Sequence, residues 1–314
     1  MMKLADHAGL VLTEMARRDA RIFVLDGDLA DSDGALHFAR SHPSRFLMAG
    51  IAEQNMISVA AGMSETGLCP YVFSFAAFLC FRSYDQIRVC LSQAPHPVTL
   101  IGSHAGGLSG RNGKTHAALN DLALMLTLPN MNVWAPADSH DVELALTASQ
   151  RTGKATYIRL PRRQFPASIE LSAAPGHCRW LRPARKVTLL STGLATHWAL
   201  DVQQRLEAAA LDVGLLHCAS LKPLPDFTEE LRGVEQVYVL EDHYRLGGLA
   251  SSLRELELDA SITSFGWPED YCGKSGTDEE CLNHCGLSSD QIAATIARRS
   301  GTPRRRLGVL EPTL

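Results

Sequence analysis

At 314 residues the chain is longer than a typical single domain and comfortable as two, each large enough to bury its own core. Apolar residues make up 46% and charged residues 20%, an ordinary globular composition that excludes a disordered chain. The net charge of −4 gives no basic excess, so nucleic acid and anionic membranes have no compositional support as partners, and a small ligand is expected.

The opening stretch, MMKLADHAGLVLTEMARR, has acidic residues and no apolar run long enough for a signal peptide. Nothing elsewhere approaches a membrane span, and a cytoplasmic location is expected. The first strand signal is RIFVLD (21–26), followed by PYVFSF (70–75), PVTLIG (97–102), MNVWAP (131–136) and ATYIRL (155–160), with helical spacing between them. Such alternation predicts a parallel sheet with crossover helices on both faces. After Gly50, the residues Ala52, Met56, Val59, Ala60 and Met63 share one helical face before Gly67 stops the helix.

A stretch without clear period over 165–185 marks a boundary, and a second series begins beyond it: KVTLLST (186–192), DVGLLHC (212–218), QVYVLED (236–242) and ASITSF (260–265). The fold class expected is therefore α/β, with two doubly wound domains. The first takes residues 1–170, a linker 171–184, the second 185–301, and an exposed tail 302–314.

Parallel sheets bind ligands at the carboxyl ends of their strands, which directs attention to three loops: 25–34, 73–86 and 103–116. Glu53 opens the helix after Gly50, where an acid suits the positive end of a helix dipole, but also where a poorly solvated carboxyl group could share a proton with a ring nitrogen. Phe78, Phe81 and Tyr84, spaced by three, suit a buried helix face or a wall for a flat heteroaromatic ring. His104 and His116 frame a glycine-rich loop that also carries Arg111 and Lys114, a density of mobile backbone and polar tips typical of a ligand site. Cys272, Cys281, His284 and Cys285 lack zinc-ligand spacing, and the eight cysteines read as reduced thiols, so no metal site is expected on this chain.

In order along one chain, GIAEQNM, FSFAAFLCFRSYDQIR, HAGGLSGRNGKTH and PNMNVWAPAD resemble the pyrimidine-binding region of transketolases and deoxyxylulose-phosphate synthases. STG at 191–193, LKPLP at 221–225, LEDHYRLGGLASS at 240–252, KSG at 274–276 and CGLS at 285–288 are similar to the C-terminal domain of the same family. The resemblance implies a thiamine diphosphate cofactor whose aminopyrimidine is bound by Glu53, which promotes the imino tautomer. It places Phe78, Phe81 and Tyr84 in the pyrimidine pocket and Asp28 and Leu29 beside the cofactor. His104 and His116 would face substrate oxygens and join Glu53 in catalysis, Asn112 would touch a substrate hydroxyl, and Ser32 and Arg162 would hold a sugar phosphate.

Two departures from the family pattern bear on function. Arg111-Asn112 stands where the family usually has an acidic pair, which leaves substrate identity open. The Gly-Asp-Gly motif and downstream asparagine that hold Mg2+ or another divalent cation against the diphosphate are not found in the sequence. The resemblance thus implies one subunit of a split transketolase, transferring a two-carbon ketol unit between sugar phosphates. Its partner would be an N-terminal subunit carrying that motif, in an α2β2 heterotetramer with self-association through the C-terminal domain. The competing expectations are the β subunit of a 2-oxo-acid dehydrogenase E1 component and a non-catalytic scaffold of the same fold.

Overall fold

The computed structural model describes residues 2–94, 96–165 and 178–300. Its strands are β1 (Met2–Lys3), β2 (Ile22–Asp26), β3 (Phe46–Met48), β4 (Cys69–Phe75), β5 (Thr99–Ala105), β6 (Met131–Trp134) and β7 (Ala155–Pro161), then β8 (Gln164–Phe165), β9 (Cys178–Arg182), β10 (Val187–Ser191), β11 (Gly214–Cys218), β12 (Ser220–Lys222), β13 (Gln236–Tyr244) and β14 (Ser261–Trp267). A seven-stranded sheet has the order β12-β6-β7-β5-β4-β2-β3, and a five-stranded sheet the order β14-β13-β10-β11-β9. β1 and β8 form a small antiparallel pair.

The first sheet is parallel from β3 through β6, and helices cover both faces, so its central strands are mostly apolar, with buried polar groups such as Ser103, His104 and Arg159 near their carboxyl ends. β5 and β7 are buried along their whole length. Successive residues still part company, as the period of two requires: Tyr71 and Phe73 enter the core beneath the helices Leu4–Arg18 and Ser139–Arg151, whereas Val72 packs with Met56, Ile57 and Leu79 on the other face. Each fully buried aliphatic or aromatic side chain contributes about 1.5–3 kcal/mol, which makes these two layers the main support of the cleft above them.

The expected division is less clean in space. β12 follows β11 of the second sheet yet pairs antiparallel with β6, so the second half supplies the edge of the first half's sheet. β9, within the expected linker, forms the opposite edge of the second sheet. The remaining linker residues up to 177, and the tail from residue 301, lie outside the described residues. Arg179 on β9 donates to Asp138 at 2.9 Å and lies 3.2 Å from Asp141, which also pairs with His217 of β11 at 2.9 Å. These groups are buried, and breaking such a network costs about 3–5 kcal/mol because it strands a charge. Among the described residues no helix is long and apolar enough to cross a membrane.

The aromatic series after β4 also departs from one continuous helix. The helix Ala76–Arg82 ends at Ser83 (φ −117°, ψ 21°), a short turn Tyr84–Gln86 follows, and Ile87–Ser92 winds as a π-helix. The three-residue spacing therefore does not place Phe78, Phe81 and Tyr84 on one unbroken face.

Candidate active site

β2, β4 and β5 lead at their carboxyl ends into the three loops singled out above. After β2 the chain turns through Asp28 at φ 74°, a left-handed conformation that aspartate tolerates better than most residues. Asp26 Oδ1 accepts the Leu29 N–H at 2.7 Å, and Asp33 Oδ1 accepts that of Ala35 at 3.2 Å, so two buried carboxyl groups frame the turn. Burial, and then the charge of Asp26, pushes Asp33 up to about 9, and burial raises Asp26 as well. Their outer oxygens have no other partner among the described residues, so a proton held by the pair relieves the repulsion at the base of the loop. On that base Asp28 is exposed, and Leu29 and Ser32 are half-buried.

From β3 the chain bends at Gly50 (φ 74°) into the helix Glu53–Glu65. A helix dipole favours an acid at this end but gives no reason to bury it, and Glu53 is only 4% exposed. Burial without a partner would be costly, and the partner is Arg82, whose Nη1 donates to Glu53 Oε1 at 2.8 Å. The Arg82 guanidinium also lies 3.9 Å from the centroid of the Phe78 ring. Ile51, Ala52, Glu53, Gln54, Asn55 and Arg82 line an open depression of about 440 Å3. Arg82 is absent from the residues expected at the site. Its signal is local, an arginine four positions after Phe78 on a helix, but its link to Glu53 spans 29 positions and shows only in the fold.

β5 ends in the histidine loop. His104, at φ 54°, stacks on Phe75 with ring centroids 3.9 Å apart, and its Nδ1 lies 3.1 Å from Ser103 Oγ. Burial, reinforced by the positive charges of Lys3, Arg162 and His116, pushes His104 down to about 3, so the ring is neutral at neutral pH. The stretch Gly110–His116 is 3-10-like with a break at Gly113 (φ 68°), and it returns His116 to the same aromatic wall. The His116 ring sits edge-on to Phe78 at 5.0 Å and to Phe75 at 6.1 Å.

Phe78 therefore joins the two parts of the cleft, with Arg82 and Glu53 on one side and the histidines on the other. Phe75 completes the wall, a role that the three-residue spacing did not single out. Phe81 is 40% exposed, and Tyr84 turns toward the helix Asp121–Thr127, its Oη 3.5 Å from Leu124 O and 3.4 Å from Thr127 Oγ1. Exposed Arg162 reaches the loop from the end of β7, donating to Ser109 O at a long 3.5 Å. Asn112 is exposed on the same loop, and the side chain of Arg111 lies outside the described residues. Among the described residues no group of three or more His, Cys, Asp or Glu side chains is arranged to hold a metal ion, and the buried Cys281 thiol lies 3.7 Å from Lys274 O.

Two α/β units with mixed, largely parallel sheets, and a cleft with a buried acid and two histidines at the carboxyl end of the first sheet, define the class of protein. The family model for the transketolase pyrimidine-binding domain matches residues 1–167, and that for the transketolase C-terminal domain matches residues 176–292. A protein of Methanocaldococcus jannaschii, provisionally named a transketolase C-terminal section, is 30% identical over 92% of this chain and 93% of its own length. Transketolase-like protein 2 of Mus musculus is 31% identical over 94% of this chain but 48% of its own length. A solved structure described as a split-gene transketolase in an inactive β4 tetramer aligns with a TM-score of 0.85 at 32% identity, over 97% of this chain and 100% of that one. The chain belongs to the transketolase family.

Proposed function

We propose that this chain is the pyrimidine-binding and C-terminal subunit of a split, thiamine-diphosphate-dependent transketolase, active with a second chain that holds the diphosphate and a divalent cation. The observation that carries this reading is the burial of Glu53 in an open depression lined also by Arg82, whose guanidinium packs over the Phe78 ring. A buried carboxyl beside an aromatic face suits an aminopyrimidine, which offers a flat ring and a nitrogen for a shared proton. Glu53, with Phe78, Phe81 and Tyr84, would hold that ring, and Asp28 and Leu29 would border it. Bound there, the cofactor supplies a nucleophilic carbon able to carry a two-carbon ketol unit.

Glu53 would share a proton with the ring nitrogen, and Arg82 must yield or share Oε1 when the ring arrives. His104 is neutral, so it can donate to or accept from substrate oxygens without fixing a charge in the cleft. His116 lies across the aromatic wall from it. Arg162 and Ser32 would grip a phosphate, a task suited to the forked guanidinium, and Asn112 would meet a hydroxyl by hydrogen bonding alone. Leu47, Met48 and Ile51 on the approach to Glu53, and Phe81 beside Arg82, are exposed apolar residues, which supports a second chain covering this edge. The half-length match to transketolase-like protein 2 supports the same division of labour.

The test is Glu53→Gln in the complex with the complementary chain. An amide preserves shape and hydrogen bonding but cannot shift the proton, so hydrogen–deuterium exchange at the thiazolium C2 should slow by about 10²–10⁴-fold. Exchange as fast as in the wild type would reduce Glu53 to a helix-start acid.

A further inference from the structure

The histidine loop is held from outside largely by the C-terminal half. Its two ends meet in an isolated antiparallel bridge, where Gly106 and Ala118 exchange both backbone hydrogen bonds at 3.0 Å. Beyond that bridge, Asp242 Oδ1 accepts the Gly107 N–H at 2.9 Å and the Trp267 Nε1–H at 2.6 Å. Tyr271 Oη donates to Gly107 O at 3.2 Å, and its ring stacks on Trp267 with centroids 4.5 Å apart. Tyr244 N–H donates to Leu119 O at 2.9 Å.

The fit leaves no spare room. A Cβ on Gly106 would lie 1.7 Å from Asp242 Oδ2, and one on Gly107 would lie 2.3 Å from the Trp267 ring. Gly106 also has φ 94°, so glycine is required there twice over. Below the contact, Arg159 Nη2 donates to Asp242 O at 2.7 Å and to Ala118 O at 3.2 Å, binding the far side of the bridge to the same strand of the C-terminal half. Asp242, Trp267 and Arg159 are all nearly or fully buried, so this clamp works in a low dielectric where its hydrogen bonds are strong.

We propose that Asp242, Trp267 and Tyr271 are positioning residues that set His104 and His116, so that the C-terminal half acts as the template for the histidine loop. The consequence for catalysis rests on the proposed function, whereas the positioning itself is a property of this chain alone.

The experiment uses the full chain with histidine labelled for NMR, comparing wild type, Tyr271→Phe and Asp242→Asn. Tyr271→Phe keeps the stacked ring and removes only the hydrogen bond to Gly107. Val237→Ala, a core change on β13, is the control for general destabilisation. The expected result is a shift of the His104 and His116 ring signals, with His217 unmoved and amide exchange of Gly106 and Gly107 accelerated about tenfold on loss of one buried hydrogen bond. In the assembled complex the same variants should lower kcat more than they raise KM for substrate. Unchanged histidine signals in both variants, or equal shifts in Val237→Ala, would overturn the proposal. If the signals move but the wild-type complex transfers no ketol unit, the positioning stands and the proposed function fails.

Discussion

The Glu53 edge and the histidine loop lie on opposite sides of Phe78, and they are built in different ways. Among the described residues Glu53 has one side-chain partner, the half-exposed Arg82, and its surroundings include Ile51 at 75% exposure. His104 and the glycines after it are enclosed by groups from two sheets, with Asp242, Trp267 and Tyr271 supplying the closure. The loop is thus completed by this chain, and the acid's edge is left for another surface to complete. Under the proposed function this asymmetry has a use: the part that would read the substrate is already closed within this chain, while the part that would receive the cofactor stays open for a second chain.

The comparison breaks most readily at Glu53. Relative to the wild-type complex, Glu53→Gln should cost two to four decades of turnover, on the order of general acid–base contributions, with little change in the urea midpoint of the free chain. A variant that loses stability as well as turnover would show that the edge is already finished without a partner.

On the enclosed side, Gly107→Ala forces a methyl into the Trp267 ring and should destabilise the free chain by about 1–3 kcal/mol, the usual range for overpacking. Chemical denaturation measures it directly. A smaller loss than that of Arg82→Met would reverse the order of rigidity drawn here.

Arg82→Met removes the partner of a buried carboxylate, and leaving such a group unsatisfied costs about 1–3 kcal/mol, at the lower end here because half of Arg82 already faces solvent. The expected outcome is a modest fall in midpoint in the free chain, together with altered cofactor affinity in the complex, read by calorimetry. No change in either would mean that the pairing with Glu53 has no energetic role.

The smallest effect is one of slope. Asp33 is raised to about 9 by burial and by Asp26, so between the unfolded carboxylate range near 4 and pH 9 the folded chain binds more protons than the unfolded one. That stabilisation is fully present below pH 4 and is lost as pH rises through the window. Asp33→Asn keeps the oxygen that accepts from Ala35 and removes the titration, so the fall in Tm over that range should become shallower by a few degrees. An unaltered slope would show that Asp33 does not hold the proton.

Short-range pattern carried a great deal of this protein. The apolar runs of β2, β4, β5, β7, β10, β11 and β13 are visible as runs because the strands of a parallel sheet buried on both faces are largely apolar. Glu53 and His104 are conspicuous because they stand at the start of a helix and the end of such a run, and His116 because it closes the glycine-rich loop that follows β5, where polar groups reach a ligand. β9 and β12 are not conspicuous, since a short edge strand needs no long apolar stretch, and its place in a sheet depends on what the rest of the chain offers it. The break at Ser83 likewise cannot be read from the three-residue aromatic spacing, which a continuous helix would satisfy equally well. Arg82 on Glu53 spans 29 positions within the first half and Asp242 on Gly107 spans 135 between the halves, and each pairing exists only once the fold has brought its partners together. Local residue order thus determined which elements form and where chemistry gathers, whereas the partners of the acid and the clamp on the histidine loop were decided by tertiary structure, because a buried polar group takes its partner from whatever the fold brings within 3 Å.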